Sequence, residues 1–103
     1  MAAKRRVVRF FCDLGNPYPL WESGTEQYTM TPTDYGLREA LAQRLARVAA
    51  QFAASWGDME RAEREGVDWR ATPAGVRWMA EGDEALAVLR REVDDIADVV
   101  DER

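Results

Sequence analysis

Large apolar residues at Leu37, Leu41, Leu45, Val48, Phe52, Trp56 and Met59 follow one another at steps of three or four. That is the repeat of a helix with one buried face, and it constrains the fold more than any other stretch of the chain. Arg38, Glu39, Gln43, Arg44, Arg47 and Gln51 lie off the stripe, where they stay in water. Alanines fill most of the remaining positions, and alanine is the strongest helix former. The spacing predicts one helix over Leu37–Met59, with Leu41, Leu45, Val48 and Phe52 buried against a sheet. A helix of this kind needs a second layer to cover its apolar face.

The rest of the chain supplies candidates for that layer. From Arg6 to Leu14 the residues alternate, with Val8, Phe10, Cys12 and Leu14 on one face, which predicts a strand. Gly15-Asn16-Pro17-Tyr18-Pro19-Leu20-Trp21 predicts a turn and then a stiff extended segment, because proline fixes its own backbone and biases the residue before it. Thr25–Met30 alternates again and predicts a second, antiparallel strand at an edge. Thr31-Pro32-Thr33-Asp34 has the chemistry of a helix start, and Gly36 is placed to stop it after one turn. Gly57-Asp58 predicts the end of the main helix or a kink in it. Glu60 and Arg64 are spaced to pair within the polar turn that follows.

Val67-Asp68-Trp69 reads as a connector with Trp69 packed inward. Thr72-Pro73 repeats the helix-start chemistry, and a second long helix is predicted over Pro73–Val93. Its expected stripe is Val76, Met79, Leu86, Leu89 and Val93, with Trp78 at the margin. Gly82 lies on that stripe, where a missing side chain permits close approach of a neighbour. The tail fits both a helix extension through Ile96 and Val100 and a strand. Val99-Val100 favours the strand, and a third strand would complete an otherwise weak two-stranded sheet. The expected fold class is therefore α+β, a single small domain over residues 1–103 in ββααβ order. Two long helices pack on one face of its small sheet. The alternative is a mostly α fold with an N-terminal β-hairpin and a helical C-terminus.

A strand ending in Asp13-x-Gly15, then Pro19-Leu20-Trp21, Leu37 and Leu41-x-x-x-Leu45, resembles a group of small uncharacterised actinobacterial proteins. That group continues with a tryptophan-bearing helix, Glu-Gly, a Leu-x-x-Leu-x-x-Glu turn and a terminal valine-rich strand. Trp78, Glu81-Gly82, Leu86, Leu89, Glu92 and Val99-Val100 match this part. The group often has Gly-Pro before its last strand, where this chain has Asp94-Asp95. The resemblance covers most of the chain. It implies the fold and implies no activity.

Several chemistries are removed by composition. The chain has no histidine, which excludes Ser-His-Asp triads, Cys-His pairs and most zinc sites. Cys12 is the only cysteine, so no internal disulfide can form, and it is read as an inert buried thiol. No cofactor and no metal site are expected. No apolar run is long enough to span a bilayer. The basic N-terminus reads as a strand and not as a signal peptide, so a cytoplasmic protein is expected.

Net charge is −5, with Lys4, Arg5, Arg6 and Arg9 at one end and nine acids against three arginines from Glu81 onward. That balance disfavours a broad nucleic-acid face. It suits a basic protein surface, while the plainer reading is that the acids keep the chain in solution. No catalytic constellation stands out. The leading functional reading is a small acidic protein-binding module, an antitoxin-, immunity- or inhibitor-type partner of another protein. Its candidate contact residues are Tyr18, Leu20, Trp21, Asp98 and Asp101. Trp21 has a second reading, as a lid over the core. An enzyme or metal-binding domain using Asp13, Glu22, Glu26 and Asp34 is one alternative. Nucleic-acid binding through the basic first strand, with Phe11 as a stacking platform, is the other.

Overall fold

Val8 and Phe10 are fully buried and Val7 is exposed, so the first strand has one wet face and one dry face, as its alternation predicts. The computed structural model describes residues 5–24 and 29–103. In it β1 (Arg6–Phe10) is the central strand of a three-stranded sheet. β2 (Leu20–Glu22) pairs with it antiparallel, setting Val8 against Glu22 and Phe10 against Leu20. β3 (Ala97–Asp101) pairs with it parallel on the other side, from Arg6 with Ala97 to Phe10 with Asp101. The tail is thus a strand, and the α+β class with helices and a small sheet holds.

The strand partnering β1 arises earlier than the alternation at Thr25–Met30 suggests. Thr25–Tyr28 lie outside the described residues. Thr29 makes an isolated antiparallel bridge to Trp21, and the Met30 N–H donates to the Leu20 carbonyl at 3.0 Å. β2 forms from the stretch expected to be an extended loop. The chain bends at residues 17–19, between β1 and β2, and the buried Asn16 side chain closes the connection. Its Nδ2 donates to the Leu20 carbonyl at 2.9 Å and its Oδ1 accepts the Tyr18 N–H at 3.0 Å. β1 itself stops at Phe10, short of the predicted Leu14.

Pro32–Tyr35 forms a single 3-10 turn, closed by Asp34 accepting the Thr31 N–H and stopped by Gly36 in the left-handed region. α1 (Glu39–Ala54) follows, with Leu41, Leu45 and Val48 buried as predicted. The expected single helix to Met59 is in fact two. The chain breaks at Ser55, and α2 (Trp56–Arg64) runs through Gly57, where the break was expected. Phe52, predicted as buried against the sheet, is only half-buried. Lengths explain this. A 16-residue helix spans about 24 Å, whereas a five-residue strand spans about 16 Å, so the stripe outruns its cover. In α2 the ion pair formed is Arg61 with Asp58, at 2.6 Å, and not Glu60 with Arg64.

α3 (Pro73–Glu92) starts at the predicted Thr-Pro, with the Thr72 hydroxyl oxygen accepting the Gly75 N–H at 3.2 Å. Its buried face differs from the prediction. Gly75, Trp78, Gly82, Ala85, Leu86 and Leu89 face inward, while Val76 is 55% exposed. Two glycines set this face, because both are places where other atoms come too close for a Cβ. At Gly75 the neighbour is the Trp69 carbonyl, and at Gly82 it is the Arg103 guanidinium. Gly82 thus admits an arginine side chain instead of a helix or strand. The core lies between α1, α3 and the inner sheet face, around Val8, Phe10, Leu20, Leu45, Leu86 and Leu89.

Candidate interaction surface

In an in-register ladder, paired residues share a face of the sheet. Leu20 pairs with the buried Phe10, so it points into the core and is fully buried. It is therefore a core residue and offers no contact surface. Trp21 pairs with Arg9 on the opposite face, yet only 7% of it is exposed. Its ring stacks on Phe11 at 4.8 Å, and its indole N–H donates to the Phe11 carbonyl at 2.9 Å. Trp21 is thus held as cover for the chain beneath it. Tyr18 is half-buried against the core. The expected aromatic loop narrows to one partly accessible ring.

The two candidate acids fall on different faces. Asp98 pairs with Val7 on the outer face and takes the Arg5 guanidinium at 3.1 Å. Asp101 pairs with Phe10 on the inner face. There Arg103, whose side chain is only 2% exposed, binds Asp101 at 2.9 Å and Asp83 of α3 at 2.5 Å. The same guanidinium donates to the Met79 carbonyl and lies over the Phe10 ring. The Arg103 hydrogen bond holds the Asp101 carboxyl below the usual carboxylate range. Asp101 is part of the joint between α3 and β3. The structure therefore does not gather Tyr18, Leu20, Trp21, Asp98 and Asp101 into one patch.

The other readings meet similar ties. Arg6 donates to Glu22 at 2.9 Å, and Tyr35 donates to the same oxygen at 2.8 Å. Arg9 pairs with Glu102 at 2.8 Å. Three arginines of the basic stretch, Arg5, Arg6 and Arg9, are thus engaged by acids of the same chain, and Lys4 lies outside the described residues. Glu22 is buried in its own cluster, Asp34 caps its own turn, Asp13 accepts the Leu14 N–H, and Glu26 lies outside the described residues. Among the described residues no group of three or more histidine, cysteine, aspartate or glutamate side chains could hold a metal ion. No helix among them is long and apolar enough to cross a membrane.

Cys12 follows β1 and packs half-buried against the core. Burial pushes its thiol up to about 12, opposed in part by Arg103. The thiolate is the reactive form. Native labelling by iodoacetamide is therefore expected to be slow at pH 8 and to keep rising with pH beyond 10. In denaturant the rate is expected to level off near the ordinary thiol value of about 8.5. A native rate that levels off at the same pH as the denatured one would show that burial does not protect the thiol.

A different cluster sits where the helices outrun the sheet. Phe52, from the last turn of α1, meets Trp56 across the Ser55 break at 5.8 Å. It also meets Trp78, from the second turn of α3, at 5.9 Å and 39°. Trp69 reaches Trp78 at 5.9 Å and 60°. Trp69 is placed by a 3-10 turn, Trp69–Ala71, that Asp68 caps by accepting the Arg70 N–H at 3.0 Å. The Trp78 indole N–H is spent on the Val48 carbonyl at 3.0 Å. Phe52, Trp69 and Trp78 line a cleft of about 410 Å³, together with Met59 and Glu63 of α2. That volume lies in the small-ligand range. Trp56 stands beside it, 39% exposed.

The sequence carried one sign of this cluster. Three of the chain's four tryptophans, Trp56, Trp69 and Trp78, fall within a single short span, although no periodicity links them. No protein-family model, curated protein or solved structure matches the chain.

Proposed function

We propose that the protein is a small protein-binding module that occupies a basic surface of another protein, as an antitoxin, an immunity protein or a regulatory inhibitor does. One observation carries this reading. Phe52, Trp56, Trp69 and Met59 are left partly open at the end of the helical layer, and all but Trp56 line the cleft. Tryptophan is the residue type most enriched where interfaces hold most of their energy. The charged residues that line this cleft are Glu63 of α2 and Asp68, against Arg70. Acids at the rim of an aromatic patch raise the association rate with a basic partner and lose that effect with salt.

The test is capture from a lysate of the source cells, with mass spectrometry of what is retained. The parent is compared with Trp56→Ala and with Val100→Thr, which alters the exposed outer face of the sheet. A partner lost about tenfold or more with Trp56→Ala, as interface anchors are, and retained with Val100→Thr supports the reading. A partner lost only with Val100→Thr moves the interface to the sheet. If no captured protein depends on either residue while both variants melt like the parent, the reading fails.

A further inference from the structure

Among the described residues arginines lie over aromatic rings: Arg6 over Tyr35 at 4.5 Å, Arg9 over Phe11 at 5.3 Å and Arg103 over Phe10 at 5.3 Å. The rings of the α1–α3 cleft have no such cation among the described residues. Their arrangement nonetheless suits one. Phe52 and Trp69 incline to Trp78 by 39° and 60°, so the three rings make a corner and not a stack. A cation in such a corner meets more than one π face within the roughly 6 Å over which a ring attracts it.

The charges at the rim point the same way. Asp68 keeps one oxygen for the Arg70 N–H. Glu63 lines the cleft and its carboxylate has no hydrogen bond or ion pair among the described residues, unlike that of Asp58, which holds Arg61. Arg70 is the one basic residue of the lining and lies over none of the rings. The cleft therefore combines the half-buried rings of Phe52 and Trp69 with the buried Trp78 behind them, a polarisable thioether from Met59, and two acids against one base.

We propose that this cleft receives a cationic side chain, a lysine or arginine of the partner protein, with Glu63 as its counter-charge. The proposal rests on the protein-binding reading above and names the chemistry that its aromatic end selects. Phe52, Trp69 and Trp78 supply the walls. The occupant's aliphatic stem covers Met59 and Val67 while its charged head meets the rings and Glu63.

The probes are choline and 3,3-dimethylbutan-1-ol, which share a shape and differ by the charge. Binding is followed by the tryptophan indole N–H signals in NMR at constant ionic strength. Choline is expected to shift Trp69 and Trp78 saturably and to leave Trp21 in place. The neutral isostere is expected to bind about two- to fivefold more weakly, the ratio for a cation–π contact at a partly exposed site. Glu63→Gln is expected to weaken choline and leave the isostere unchanged. Glu63 is exposed, so this variant keeps the fold. Equal binding of both probes would overturn the proposal in favour of an apolar side chain. No binding of either, or no effect of Glu63→Gln on choline, would also overturn it. If the cation inference fails while capture still depends on Trp56, the protein-binding reading stands without it. Selective choline binding with no dependence of capture on Trp56 would leave the cation site and remove the protein partner.

Discussion

Replacing Trp78 by alanine is expected to cost about 3–5 kcal/mol of stability, the range for truncating a large buried aromatic. Trp78 is the hinge of the aromatic cluster. It is 5% exposed, it touches both Phe52 and Trp69, and its buried N–H is satisfied by the Val48 carbonyl. Alanine removes the ring, leaves a cavity between α1 and α3, and takes away the indole's hydrogen bond to that carbonyl, which keeps its helical partner. Trp78→Phe separates the contributions. It keeps much of the packing and loses the hydrogen bond, which is worth about 1 kcal/mol. Urea unfolding at fixed pH measures both. A loss below about 1 kcal/mol for Trp78→Ala would mean that α1 and α3 do not meet through this ring.

Gly75→Ala is expected to destabilise by about 1–3 kcal/mol, the usual cost of forcing atoms into a filled site. Helix propensity alone predicts the opposite sign, since alanine gains up to about 1 kcal/mol over glycine inside a helix. Space decides the matter. A Cβ at Gly75 would run into the backbone of Trp69 and Arg70, which cannot swing away as a side chain can. Gly57 of α2 is the control, because nothing lies near its missing Cβ. Gly57→Ala is expected to be neutral or stabilising by a few tenths of a kcal/mol. Thermal melts of the two variants should therefore move in opposite directions. A rise in both would show that the Trp69 turn does not rest on α3.

What could be read from the sequence was whatever repeats locally. The 3-4 spacing from Leu41 to Val48 located α1, Thr72-Pro73 located the start of α3, and Val99-Val100 located β3. β2 escaped because three residues are too few to show alternation and because prolines there look like a loop. The break at Ser55 escaped because the stripe continues through it. It marks where the sheet runs out, a fact of the assembled fold and not of the chain. The inner face of α3 was misplaced because a stripe drawn through apolar side chains passes over glycine. Here Gly75 and Gly82 mark the closest approaches.

The candidate site was less legible for the same reason. Leu20 and Trp21 look alike in sequence, yet strand register sends one inward and one outward. Asp98 and Asp101 are separated by an odd step on a strand, so they face opposite ways. The aromatic cleft draws on α1, α2, α3 and the turn before α3. Its geometry exists only once those elements are packed.

The parallel pairing of β1 with β3 has a consequence for synthesis. Arg9 and its partner Glu102 lie 93 positions apart. At roughly 5–20 residues per second, translation delivers the second on the order of 5–20 s after the first. Through that interval the middle strand of the sheet has an unpaired hydrogen-bonding edge, bearing Val7, Val8 and Phe10, and only β2 is available to it. Open strand edges of this kind recruit other chains. Arg5, Arg6 and Arg9 precede or interrupt the apolar residues there and act as charged gatekeepers against such recruitment. The arginines that later bind Asp98 and Glu102 thus serve the nascent chain before these two acids have been made.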